Sequence, residues 1–183
     1  MAQPEATKEM CAYCFEVLER QFTSGELATD SIEQRFRNAR CPLFVTWNIH
    51  SDAALAARAA AAGGARGSTK KEGRLRGCIG TLSPTELATG LREYALISSL
   101  RDRRFDPVSE QELPRLSVTV SLLTNYEDAR DVYDWEVGVH GIILDFRCDA
   151  AGARMSISMC TSESSNARGH PSVARCFACS SPE

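Results

Sequence analysis

Residues 75–81 combine the chemical groups that a small reactive site needs. Their sequence is Leu-Arg-Gly-Cys-Ile-Gly-Thr, so two glycines bracket one thiol, an arginine precedes it and a hydroxyl follows. Glycines let backbone N–H groups approach a ligand closely, and a guanidinium is a permanent cation. A small anionic or electrophilic group is therefore the expected ligand, with Arg76, Gly77, Gly80 and Thr81 as its binding residues.

One interpretation of this segment is catalytic. Cys78 would be the nucleophile and His140 its base, because imidazole is the side chain that titrates near neutral pH. Backbone N–H groups beside the two glycines would stabilise developing negative charge. Trp135 and Glu136, just before this histidine in the sequence, are expected to line the same ligand cleft.

Two other classes of function compete with catalysis. In a regulatory or binding module, which is the preferred interpretation, the glycine-rich strand would recognise an unidentified protein partner or a small anion. In a nucleic-acid-binding protein, Lys70, Lys71, Arg74 and Arg76 would contact phosphates. The net charge of -3 and the pI of about 5.7 make this the weakest of the three. No dinucleotide or phosphate-loop fingerprint occurs, so no cofactor is expected.

The composition predicts one ordinary domain in a reducing compartment. A chain of 183 residues is long enough to bury a substantial core. Residues 1–7 lack the charged and apolar blocks of a secretory signal, and no run of about 18 apolar residues is available for a membrane span. The eight cysteines are therefore expected to be reduced thiols in an intracellular protein.

The spacing of apolar residues predicts the elements that must position these groups. In chain order they are a helix at 7–22, strands at 43–49 and 75–81, a helix after the capping box 83–86, a second capping box at 109–112, a strand at 116–122, and a hairpin of 142–147 with 155–159. The first capping box would place the amide-rich start of a helix directly after Cys78, where it could hold an anion.

Two segments are expected to lie outside this framework. Residues 50–73 are rich in alanine and glycine and predict a flexible insertion, with His50 as a surface residue at its start. The domain is expected to span 7–160, and residues 161–183 to be disordered. The pairs Cys11/Cys14 and Cys176/Cys179 have the spacing of zinc ligands, but the first pair lies on an apolar helix face, so no metal site is expected.

Four blocks of the sequence resemble the AMMECR family: residues 42–47, 75–81, 90–125 and 134–142. The likeness covers about residues 10–149, interrupted by the insertion. It implies an α+β fold in which an antiparallel sheet is flanked by helices, with a smaller lobe and a cleft between them. It also implies a cytoplasmic or nuclear location, and it names no agreed reaction. After about Asp149 the sequence departs from the family pattern, and we interpret the part from Met155 onward as read from an altered frame or an unspliced intron.

Overall fold

The computed structural model describes residues 4–23, 39–53, 73–131, 133–136, 140–148, 153–160 and 173–180. Contacts between Cα atoms divide the described chain into two compact units, one built mainly from Ala6–Ser121 and the other from Leu122–Ser180.

The unit Ala6–Ser121 combines helices with antiparallel strands. Its elements are helix α1 (Lys8–Glu19), strand β1 (Arg40–Ile49), strand β2 (Arg74–Glu86), helix α2 (Leu87–Leu100), a 3-10 helix (Glu110–Arg115) and the first half of strand β3 (Leu116–Asp128). The strand order is β2-β1-β3, with β1 and β2 antiparallel, so β2 is an outer strand of the described sheet. Helices beside an antiparallel sheet confirm the predicted α+β class.

Helix α1 is confirmed, and its buried side chains are Met10, Tyr13, Cys14, Val17 and Leu18. Thr7 caps the helix, since its side chain accepts a hydrogen bond from the N–H of Met10. The thiol of Cys14 is fully buried and donates to the carbonyl of Leu91 at 3.7 Å. Burial raises the pKa of both Cys11 and Cys14. This first CxxC pair therefore consists of protonated, packed thiols rather than exposed redox groups.

The core of this unit is organised by Trp47. Leu43, Val45 and Trp47 alternate along β1 and are fully buried on one face. The indole N–H of Trp47 donates to the carbonyl of Ala95 at 3.2 Å and to the hydroxyl of Ser98 at 3.0 Å. Because both acceptors belong to α2, this side chain fixes the helix against the sheet as well as filling the core.

The first predicted capping box is wrong, whereas the second is confirmed. Strand β2 continues through Glu86, which pairs with Arg40, and α2 begins only at Leu87. Cross-strand pairing therefore outweighs the local preference of the Ser-Pro-Thr-Glu sequence for a helix start. The amide-rich start of the helix lies well beyond Cys78, so it supplies no donors there. At the 3-10 helix, Ser109 and Glu112 form the expected reciprocal cap.

The predicted surface position of His50 is also wrong. His50 is buried, and its Nε2 lies 2.7 Å from the hydroxyl oxygen of Ser117. Its backbone N–H donates to the carbonyl of Arg115, and its own carbonyl accepts from Arg115 Nε. These bonds close the end of β1 onto the start of β3, which a sequence pattern could not show. Residues 54–72 of the predicted insertion lie outside the described residues.

The unit Leu122–Ser180 is an antiparallel sheet in its described part. Its strand order is β3-β6-β4-β5, with β4 at His140–Cys148, β5 at Ala153–Cys160 and β6 at Val173–Ser180. The pairing of β4 with β5 confirms the predicted hairpin. Strand β6 falls inside the segment for which disorder is predicted, while residues 161–172 and 181–183 lie outside the described residues.

We predict that Trp47→Phe destabilises the protein by about 1–3 kcal/mol, because the hydroxyl of Ser98 and the carbonyl of Ala95 each lose the indole N–H as a buried donor. The free energy of unfolding from urea denaturation measures this loss. Phe44→Leu, on the half-buried face of the same strand, is the matched control and should cost less than about 1.5 kcal/mol. If both variants lost the same free energy of unfolding, the indole hydrogen bonds would make no specific contribution to stability.

Candidate functional site

The thiol of Cys78 lies beside a hydroxyl on a partly open face of the sheet. Cys78 stands directly opposite Thr46 on β1, and the Thr46 hydroxyl donates to its sulfur at 3.1 Å. Side chains alternate along a strand, so Thr46 points away from the face that carries the buried Trp47. The thiol is half-buried and lies outside the aliphatic core.

The peptide groups of Cys78 point away from β1, toward the outer edge of the sheet. Its N–H donates to Asp102 Oδ2 at 3.0 Å, and its carbonyl accepts from Arg104 Nη2 at 2.8 Å. Thr46 and Cys78 are therefore a non-hydrogen-bonded pair, the type in which facing side chains approach most closely. This register brings the hydroxyl to the thiol. We call the bonds from Asp102 and Arg104 to Cys78 the edge clamp.

The carboxylate of the edge clamp is ionised. Asp102 is only 5% exposed, and Arg104 donates to both of its oxygens, from Nε at 3.0 Å and from Nη2 at 2.7 Å. These bonds, helped by the N–H of Cys78, lower the pKa of Asp102 to about 2. The same pairing raises the pKa of Arg104. A fixed negative charge therefore lies next to the Cys78 peptide.

Arg76 is held by an ion pair of its own. Its guanidinium donates to both carboxylate oxygens of Glu112, at 2.7 and 3.0 Å, and to the carbonyls of Asp106 and Pro107. The side chain is buried, and the guanidinium lowers the pKa of Glu112 to about 2. This predicted anion-binding cation therefore ties β2 to the segment before the 3-10 helix.

The two glycines are needed by the protein's own packing. A Cβ on Gly77 would overlap the carbonyl oxygen of Ser98, and one on Gly80 would overlap the carbonyl oxygen of Leu43. Close approach of α2 and β1 thus accounts for both positions without a ligand. The hydroxyl of Thr81 accepts a hydrogen bond from the N–H of Ser83 at 3.0 Å, within a local turn.

The remaining predicted site residues belong to the other unit. Trp135 is half-buried and Glu136 exposed, and both line an open depression of about 570 Å³. Its lining also includes Glu127, Asp128, Arg130, Tyr133 and Asp134. The excess of carboxylates suits an anionic ligand poorly. The backbone of His140 pairs with Ala178, but its side chain lies outside the described residues, so its pairing with Cys78 stays a prediction.

Sequence reasoning missed the groups that contact Cys78 directly. Thr46 is recognisable only once the register between β1 and β2 is known. Asp102 and Arg104 lie in a charged connector that the sequence presents as solvent-exposed. An acidic residue two positions before a basic one, just after a helix end, is the available signal, and it is too common to identify an edge clamp.

Comparison with known proteins identifies a family and relatives that include plant and yeast proteins. The AMMECR1 family model matches residues 11–155. An uncharacterised protein of Arabidopsis thaliana is 46% identical over 141 residues, which are 77% of this chain and 56% of that protein. An uncharacterised protein of Kluyveromyces lactis is 37% identical over 127 residues, which are 64% of this chain and 48% of that protein. The chain therefore spans about half the length of these relatives.

A solved structure shares the fold. The crystal structure of an uncharacterised protein from Pyrococcus horikoshii matches with a TM-score of 0.63 and 19% identity, covering 94% of this chain and 87% of that one. At this identity the likeness concerns architecture alone. Separately, none of the described helices is long and apolar enough to cross a membrane.

We predict that Gly77→Ala lowers the free energy of unfolding by about 1–3 kcal/mol, because the new methyl group would displace the backbone of α2. Leu82→Ala, on an exposed part of the same strand, is the control and should change stability by less than about 0.5 kcal/mol. Urea denaturation of both variants measures the difference. An unchanged stability for Gly77→Ala would indicate that this glycine serves ligand access rather than internal packing.

We predict that the edge clamp makes stability depend on acidity. The pKa of Asp102 is lower in the folded protein than in the unfolded chain, so its contribution is complete above about pH 4 and disappears as the pH falls toward 2. At neutral pH, Asp102→Asn should cost about 2 kcal/mol, and by pH 3 about half of that difference should be gone.

Urea denaturation of Asp102→Asn and of the unmodified protein at pH 7 and pH 3 tests this dependence. Asp106→Asn is the matched control, because its carboxyl group is exposed and should change stability by less than about 0.5 kcal/mol. A cost for Asp102→Asn that is the same at both pH values would contradict an ionised carboxylate in the clamp.

Proposed function

The chain belongs to the AMMECR1 family, and we propose that it is a regulatory module that binds a partner protein through the strand surface around Cys78. This binding face comprises Phe44, Thr46 and Asn48 on β1, with Leu75 and Cys78 opposite them on β2. The facing pairs Thr46 with Cys78 and Asn48 with Leu75 support a common orientation. All five side chains are half-buried or exposed.

The occupied donors at Cys78 carry this proposal. Binding a small anion, or stabilising an oxyanion, would require the Cys78 N–H and the Arg76 guanidinium as free donors. Both are engaged by carboxylates, Asp102 and Glu112, whose pKa values are near 2. Each carboxylate is held in an ion pair, Asp102 with Arg104 and Glu112 with Arg76, so a small anion would have to displace a carboxylate from its guanidinium. A protein partner is therefore favoured over a small anion, and binding over catalysis.

A cysteine-dependent enzyme is the second candidate. It is favoured by one observation, the half-buried thiol of Cys78 with the Thr46 hydroxyl donating to it. In this alternative Cys78 is the nucleophile and His140 the base, with Trp135 and Glu136 at the ligand. Nucleic-acid binding is weaker, because Arg76 is bound to Glu112 and Lys70 and Lys71 lie outside the described residues. We place the function in the cytoplasm, the nucleus or both.

Site-directed photo-cross-linking tests the binding face. Leu75 and Leu82 are both leucines on β2 with nearly equal exposure, 38% and 36%, but only Leu75 lies on the proposed face. A photoreactive residue at position 75 should capture a discrete partner from cell extract, and one at position 82 should not. Asn48→Arg and Thr46→Arg should each abolish the capture at position 75, provided that their melting curves remain cooperative.

Two outcomes would overturn the binding proposal. Equal capture at the two positions, or capture at position 75 that survives both arginine variants, would show that the face is not the recognition surface. If no partner is captured, and Cys78→Ser removes a conversion that the unmodified chain carries out, the enzyme alternative would replace it.

A further inference from the structure

Strand β2 carries an exposed bulge at its outer edge. The pairing with β1 jumps from Leu43 opposite Thr81 to Cys41 opposite Thr85, so one residue of β1 faces residues 82–84 of β2. Extra residues of this kind leave the ladder and stand away from the sheet. Leu82, Ser83 and Pro84 are all exposed, so this bulge is accessible from solvent.

The hydroxyl of Ser83 is available within this bulge. The backbone N–H of Ser83 donates a hydrogen bond to the hydroxyl of Thr81 at 3.0 Å, and this bond holds the turn in place. Across the described residues, the Ser83 side chain has no hydrogen-bond partner. Pro84 follows it, and serine followed by proline occurs at only one other position in the sequence, Ser181.

We propose that Ser83 is a phosphorylation site for a proline-directed protein kinase. The bulge already lies outside the β1–β2 ladder, so a kinase can bind it without breaking the backbone hydrogen bonds of the ladder. Pro84 has no N–H, so the kinase surface that receives it has no buried donor to satisfy. This assignment is independent of the partner bound by the rest of β2.

The reaction is a phosphoryl transfer from ATP. The Oγ of Ser83 attacks the γ-phosphorus, the new Oγ–P bond forms, and the bond from that phosphorus to the bridging oxygen breaks to release ADP. The hydroxyl proton passes to the catalytic aspartate of the kinase and then to solvent. The product carries about -1.5 to -2 charges near neutral pH.

Arg40 lies where it can form an ion pair with this phosphate. Its Nη2 already donates to the carbonyl of Pro84 at 3.1 Å, so a guanidinium lies beside the residue that follows Ser83. The acidic group nearest in the ladder is Glu86, opposite Arg40, and its carboxylate accepts a hydrogen bond from Thr89 at 2.7 Å. The phosphate therefore pairs with Arg40 and fastens the bulge to the start of β1.

Treatment of the full chain with ATP and a mitogen-activated protein kinase tests the site, with phosphopeptides quantified by mass spectrometry. The unmodified chain and the control Ser181→Ala should both incorporate phosphate at Ser83, and Ser83→Ala should lose that signal. Pro84→Ala should be modified at least about tenfold more slowly. No phosphate at Ser83 in the folded chain, or equal rates for Pro84→Ala, would overturn the assignment.

A second measurement tests the role of Arg40. In the phosphorylated chain, the phosphorus NMR signal of Ser83 should titrate at a lower pH than in phosphorylated Arg40→Gln, because the guanidinium favours the doubly charged form. Identical titration midpoints would remove Arg40 from the proposal. A melting curve for each variant confirms that the comparison is made between folded proteins.

Discussion

The peptide group of Cys78 must find hydrogen-bond partners at the outer edge of a sheet, and this requirement organises the surrounding structure. Unpaired edge groups invite pairing with other chains, and proteins commonly cover them. Here a side chain from the segment after α2 satisfies each group: Asp102 accepts from the N–H, and Arg104 donates to the carbonyl. Within the part of the chain that the structure describes, the edge clamp thus provides, through an ion pair, the hydrogen bonds that a neighbouring strand would make.

Two further features follow from the edge clamp. For the end of α2 to lie close enough to β2, the strand must have no side chain where the helix backbone meets it, which is the position of Gly77. Arg76, one residue earlier, binds Glu112 with two parallel hydrogen bonds and holds the next part of the same connector. Three consecutive residues of β2 therefore fasten the segment from Ser98 to Glu112.

This organisation explains how far the sequence could predict the fold and the site. Helix α1 and the β4–β5 hairpin follow from hydrophobic periodicity, which is local information. The burial of His50 and the continuation of β2 to Glu86 depend on pairing with residues distant in sequence, so local rules gave the wrong answer there. An arginine followed by a glycine, as at Arg76 and Gly77, suits an anion-binding site and also suits the internal packing seen here. Both arrangements need a fixed cation and a close approach to the backbone. Only the positions of Asp102 and Glu112 distinguish the two.

The same ion pairs bear on how the binding face would work. Ordering a flexible surface on association reduces affinity, whereas a surface already held in its bound shape avoids that cost. Asp102 holds the backbone of β2 at Cys78 and Glu112 holds the Arg76 side chain, and both carboxylates stay ionised far below neutral pH. Because these anchors use the backbone and Arg76, they leave the side chains of Thr46, Leu75 and Cys78 directed away from the clamp. A rigid strand whose recognition side chains take no part in these anchors is the arrangement that protein recognition favours, and it would remain intact throughout the physiological pH range.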